Sequence, residues 1–115
     1  MALRLPAIER KEQVLDVALS VFAVKGFHDT SMNDIAEAAG VTKPVVYQHY
    51  ESKRALFLAI IDHVGDRMID VLTAATSGLT DGQAQVEAGM IAFFTWVERD
   101  KNAFKFLFDS GTQND

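Results

Sequence analysis

An all-α fold is predicted by three features of this 115-residue sequence. Apolar residues recur at helical spacing, Ser/Thr and Gly punctuation cuts the chain into segments of helix length, and no segment shows the alternation of a strand. From Ile8 to Lys25, apolar residues fall at Val14, Leu15, Ala18, Val21 and Phe22, and Gly26 supplies the stop. A short loop, FHDT, leads to Ser31, with Asp34 three residues on; this capping-box pattern opens a second helix that Gly40 ends after barely two turns. Thr42 caps a third short helix, with Pro44 in its first turn, where a missing N–H costs nothing.

Ser52 caps a fourth helix, and this one is long. Phe57, Ile61, Val64, Met68 and Leu72 make its apolar stripe, and Gly65 in its middle costs about 1 kcal/mol relative to Ala. SGLTDG (77–82) is a break, after which a fifth helix is expected over about 83–99 and a sixth from near Asn102. There is no internal repeat and no low-complexity segment.

The length suits one domain with a modest core. Hydrophobic residues at 49% and charged residues at 23% describe a globular chain rather than a disordered one. The absence of cysteine excludes disulfides and thiolate metal sites. No apolar run approaches the roughly 20 residues needed to span a bilayer, so no membrane association is expected. The N-terminus, MALRLPAIERKE, lacks the pattern of a secretory signal, so a cytoplasmic location is expected.

The net charge of −5 is unevenly spread. Residues 1–54 hold seven Lys/Arg and seven Asp/Glu and sum to zero, whereas residues 55–115 hold four and nine and carry the whole −5. Such asymmetry suggests a front half that meets a polyanion. Within AGVTKPVVYQHYESKRALF (38–56), Lys43, Lys53 and Arg54 stand at helix starts, where the helix dipole disfavours cations. Two short helices joined by a three-residue turn at Gly40 form a helix-turn-helix signal, and a short polar second helix suits a DNA major groove. The cations then have an explanation, because phosphates would occupy those helix starts. Short helix pairs with a glycine turn also occur in all-α proteins that bind no DNA, so an effector-binding or protein-interaction helical module without DNA binding stays open.

The run VLDVALSVFAVKGFHDTSMNDIAEAAGVTKPVVYQHYESKRALF, Val14 to Leu56, resembles the TetR family of bacterial transcriptional regulators. The marks are the FAVKGF helix end, the IAEAAGV helix-turn junction and the YQHYESKRAL exit into the fourth helix. The resemblance implies a three-helix DNA-binding domain over residues 1–55 and the first part of a helical effector-binding and dimerisation domain over 56–115. It implies a sequence-specific regulator, expected to be a repressor released by a small-molecule effector of unknown identity. The implied partners are double-stranded operator DNA and, in a longer chain with a C-terminal helical bundle, a second copy in a homodimer.

The resemblance also implies residue roles. Thr30 and Ser31 would hold phosphates through hydroxyl and backbone groups. Thr42, Lys43, Pro44 and Val45 would face the groove, with Gln48 counted among the DNA contacts. Tyr47 and His49 would contact backbone phosphates and Lys53 would clamp another. Val46 and Tyr50 would pack inward against the first helix, and Arg4, Arg10 and Lys11 would form a basic arm. The family often has Gly then Thr or Ser where this chain has Pro44 and Val45; the missing hydroxyl puts one hydrogen bond in doubt, and Val45 offers a thymine-methyl contact instead.

The remaining features point to no chemistry. Asp62, His63, Asp66 and Asp70 read as an exposed acidic stripe, and no metal is expected there, since one His with loosely spaced carboxylates specifies no geometry. The aromatic-rich set Phe93, Phe94, Trp96, Val97, Phe104, Phe106, Leu107 and Phe108 is expected to be core, or else the wall of a ligand cavity with Met68 and Met90. No nucleophile sits beside a base and there is no phosphate-binding Gly-rich loop, so neither enzymatic activity nor a cofactor is expected.

Overall fold

The computed structural model describes residues 5–112. Among these, six helices follow in order: α1 (Ala7–Lys25), α2 (Met32–Ala39), α3 (Lys43–His49), α4 (Lys53–Thr76), α5 (Gly82–Arg99) and α6 (Lys101–Thr112). No strand occurs among the described residues. Each expected helix is present, with starts and ends within a residue or so of those read from the caps.

The punctuation works as the local chemistry demands. Gly26 closes α1 at a φ of 84°, and Gly40 closes α2 in the left-handed region at φ 69°, ψ 31°, a conformation glycine adopts without the Cβ penalty. Ser31 and Asp34 form the full capping box: Asp34 N–H donates to Ser31 Oγ at 3.0 Å, and Ser31 N–H to Asp34 Oδ2 at 2.9 Å. Ser52 Oγ accepts from Ala55 N–H at 3.0 Å and so caps α4. Thr42 stands at the cap of α3, but its side chain makes no capping bond.

One core joins the six helices. Val14, Ala18, Ile35, Val46, Leu56, Ile60, Val64 and Ala103 have essentially no exposed surface, and Phe22, Met32 and Phe106 are nearly as deep. Phe22 lies 5.5 Å from Phe57 and 6.2 Å from Phe106, ring centre to ring centre, so α1, α4 and α6 meet at one aromatic joint. Residues distant in sequence close the frame: Gln13 Nε2 donates to the carbonyl of Ala39 at the end of α2 at 3.1 Å, and Lys105 Nζ donates to Ala23 O in the last turn of α1.

The burial of α4 departs from expectation. Its fully buried line is Leu56, Ile60 and Val64, whereas Phe57, Ile61 and Met68 are only partly buried. The cause is that α4 packs against α1 along one side and against α5 and α6 along another, so a helix read as having one stripe has two adjoining ones. The aromatic set divides as well: Trp96 and Phe106 are core, Phe93, Val97, Phe104 and Leu107 are half-buried against it, and Met90, Phe94 and Phe108 are exposed.

Gly65 has nothing within 4 Å of where a Cβ would stand. Gly65→Ala is therefore expected to raise stability by about 1 kcal/mol, the helix-propensity difference alone. Urea unfolding reads this directly, and a loss of stability would mean the position has a constraint other than propensity.

Candidate nucleic-acid interface

The geometry of the helix pair begins with what α3 hides. Val46 is wholly buried in the core, and Tyr50, at the C-cap, is buried beside α1 with its hydroxyl donating to Lys11 O at 3.2 Å. Burial first, then the charges of Asp16 and Glu12, push the Tyr50 phenol above its ordinary value, so the donor stays protonated. Pro44 and Gln48 stand two residues before and after Val46. At about 100° per residue both lie on the side of α3 opposite the buried one, and both are exposed. Lys43 and Tyr47, four apart, share one flank; Val45 and His49, half-buried, share the other.

The Lys43–Tyr47 flank opens on a concavity of about 420 Å³ lined by His28, Asp29, Thr30, Ser31, Met32, Lys43, Tyr47 and Lys53. Residues from the α1–α2 loop, the start of α2, α3 and the start of α4 thus share one surface. Lys53 is half-buried: its ammonium donates to Phe27 O at 2.6 Å and lies 4.2 Å from the centre of the Phe27 ring. An ammonium has three donors, so this contact fixes the head group and leaves donors for an anion. The contact also offsets the dipole cost of a cation at the start of α4, a helix whose first turn holds no acidic residue. Among the described residues neither Lys43 nor Arg54 has an ion-pair partner.

Thr30 lines the concavity differently from its neighbours. It is 2% exposed, and its hydroxyl donates to Gly26 O at 2.7 Å, so the side chain locks the loop and its proton is already committed. Ser31 is exposed; its Oγ accepts the capping bond, which leaves the hydroxyl proton free to donate. Arg10 donates to Gln13 Oε1 and Lys11 lies over the Tyr50 ring at 5.5 Å, while Arg4 falls outside the described residues. His28 and Asp29 were not singled out from the sequence. Nothing in local spacing ties a loop residue to a lysine more than twenty positions on, and no signal available there marks them.

Asp34 anchors the start of α2 electrostatically. The Ser31 N–H first and Lys25 second hold its carboxyl below the ordinary value of 3.8, with the Lys25 Nζ at 3.0 Å. Because the folded carboxyl is the stronger acid, its contribution to stability is fully present above the unfolded value and is lost as pH falls through the lower folded one. Asp34→Asn is therefore expected to flatten the acid limb of the stability profile, the fall in stability as pH drops through and below the ordinary carboxyl value of 3.8. Urea midpoints across that range measure it, and an acid limb as steep as that of wild type would refute the assignment.

Away from this surface, His63 Nε2 faces Asp16 Oδ1 at 3.8 Å across α1 and α4, and Asp62, Asp66 and Asp70 are exposed. Among the described residues no three potential ligands come together as a metal site. No helix among them is long and apolar enough to cross a membrane.

Comparison with known proteins locates the same region. Residues 14–60 match the sequence model described as bacterial regulatory proteins, tetR family. The chain is 37% identical over 107 residues to the HTH-type transcriptional activator FasR of Mycolicibacterium smegmatis, covering 93% of this chain and 49% of that protein. It is 27% identical over 100 residues to the HTH-type transcriptional repressor KstR2 of Rhodococcus jostii, covering 87% and 49%. A solved TetR-like transcriptional regulator from Rhodococcus sp. RHA1 superposes with a TM-score of 0.87 at 35% identity, covering 92% of this chain and 58% of that one. The chain thus spans about half the length of the curated relatives it matches. With the family's helix-turn-helix unit at 14–60 and the fold of its solved regulators over nearly the whole length, this chain belongs to the tetR family of bacterial regulatory proteins.

Proposed function

We propose that this chain is the DNA-binding part of a transcriptional regulator, with α3 as the recognition helix in a major groove of double-stranded operator DNA. One observation carries the reading: Ser31, Lys43, Tyr47 and Lys53 line a single concavity beside the exposed outer side of α3. A phosphate in that concavity would meet the Lys53 ammonium, the Lys43 ammonium and the Ser31 and Tyr47 hydroxyls while Pro44, Gln48 and Val45 approach base edges. Backbone contacts of this kind set register, and the groove side reads sequence. Thr42, the cap residue of α3, His49 on the flank opposite the concavity, and the backbone of Thr30 are the further DNA contacts of this reading.

Residues 1–55 form the DNA-binding domain in this reading and residues 56–115 the start of a regulatory domain that a longer chain completes and dimerises. Room for an effector lies where this second part adjoins α1: a cavity of about 810 Å³ lined from α1, α4 and α5 is walled by Leu19, Val71, Trp96, Arg67 and Arg99. A ligand that favours one orientation of α4 over another would change the distance between two recognition helices, and only one spacing matches successive major grooves. Repression relieved by such a ligand is the proposed mode, in a cytoplasmic protein with no enzymatic activity.

Lys53→Ala tests the site. It is expected to weaken binding almost equally on all sequences and to lower the slope of log K against log salt by about 0.9, the release belonging to one phosphate contact. An unchanged slope would remove Lys53 from the phosphate site. Failure of the wild-type protein to show any salt-dependent DNA association would instead favour the helical module without DNA binding.

A further inference from the structure

The proposed phosphate cleft contains a carboxylate. Asp29 is exposed and lines the same concavity as His28, Ser31, Lys43, Tyr47 and Lys53. Among the described residues its side chain has no hydrogen bond or ion pair. The contrast with Asp34 is informative. Asp34, five residues on, is held by the Ser31 N–H and by Lys25, so its charge is largely compensated within the protein. Lys53, a cation of the same concavity, is turned instead onto the carbonyl and ring of Phe27. An uncompensated negative charge is therefore left on a surface whose other ionised groups are cations.

We propose that Asp29 is an affinity-setting residue: an electrostatic brake that weakens phosphate binding on every sequence alike and leaves base selection untouched. The proposal rests on the reading of this concavity as the DNA phosphate site. Its logic is Coulombic. A phosphate entering the cleft is drawn by Lys43 and Lys53 and repelled by Asp29, and at several ångströms near a protein surface each such charge alters affinity by about three- to tenfold. Phosphates are present on all DNA, so the effect is uniform and cancels in the ratio of specific to non-specific binding. The exposed carboxylate makes no contact that holds the fold, so folding supplies no reason for its charge.

The test measures binding of the full-length protein to two duplexes: the tightest sequence selected from a random pool, and a random-sequence duplex of equal length. Asp29→Asn is expected to tighten both by about three- to tenfold, and Asp29→Lys to tighten both further and raise the salt slope by about one. Asp62→Asn, which removes an exposed acid of α4 outside the cleft, controls for net charge and is expected to change affinity by less than about twofold. The gain from Asp29→Asn should shrink as salt rises and the Debye length falls below about 8 Å. Unchanged affinity in both Asp29 variants, tightening confined to the selected duplex, or an equal gain from Asp62→Asn would each overturn the proposal. Lys53→Ala, measured alongside, separates the two failures. If it lowers the salt slope while the Asp29 variants do nothing, the brake alone is wrong. If it too leaves the slope unchanged, the concavity is not the phosphate site and both readings fall.

Discussion

Phe22→Ala is expected to cost about 3–5 kcal/mol of stability, a large share of the roughly 5–15 kcal/mol that holds a domain folded. Phe22 is 3% exposed and stands where α1, α4, α6 and the α1–α2 loop converge, with ring centres 6.0 Å from Phe27, 5.5 Å from Phe57 and 6.2 Å from Phe106. Truncation removes the transfer free energy of the ring and leaves a cavity between helices that other bonds also fix, among them Lys105 to Ala23 O. The walls cannot collapse freely into that space, which places the cost high in the usual range. Val24→Ala, two residues on in the same helix and 78% exposed, is expected to stay within about 0.5 kcal/mol. Urea unfolding of both variants decides the matter, and a loss below about 1 kcal/mol for Phe22→Ala would mean that the joint repacks.

How much of this was legible in the sequence follows from the range of the interactions. Caps are local, and Gly26, Ser31 with Asp34, Gly40 and Ser52 could be read because donor and acceptor lie within a few residues of one another. The inward turn of Val46 and Tyr50 was implied by the resemblance and agrees with their burial. The stripe expected on α4 shares Val64 with the buried line, but Leu56 and Ile60 take the deep positions expected of Phe57 and Ile61. The reason is that a periodic pattern reports that a face is apolar and not how many neighbours share it. The aromatics after Phe93 could not be sorted into core and surface, since Phe94 and Phe108 differ from Phe106 only in what packs on them. The contacts that shape the candidate interface were illegible for a further reason. Lys53 to Phe27 O, Gln13 to Ala39 O and Thr30 to Gly26 O are bonds from a side chain to a main-chain carbonyl. Every residue offers such a carbonyl, so the accepting partner leaves no mark in the sequence.

Gln48→Ala is expected to flatten the preference at one base pair of the binding site, costing about 1–3 kcal/mol on the preferred duplex and little on random DNA. The burial of Val46 fixes the rotation of α3, and that rotation sends Gln48 and Pro44 to the outer side, one turn apart. Of the two, only Gln48 carries hydrogen-bonding groups on its side chain, and the glutamine amide matches the N6 and N7 edge of adenine in a bidentate pair. Lys43 and Tyr47 lie on the flank that opens on the concavity with Ser31 and Lys53, so their substitution should act on phosphates and weaken binding on all sequences. The two classes of residue then separate in two measurements, selection from a random pool and the salt slope. Gln48→Ala should change the selected sequence and leave the slope alone, whereas Tyr47→Phe should leave the selected sequence alone. Val45→Ala should behave like Gln48→Ala with a smaller effect, because it can lose only an apolar contact with a thymine methyl. Identical selected sequences for wild type and Gln48→Ala, or an equal loss on selected and random duplexes, would place the base-reading side of α3 elsewhere and refute the base-reading role of Gln48.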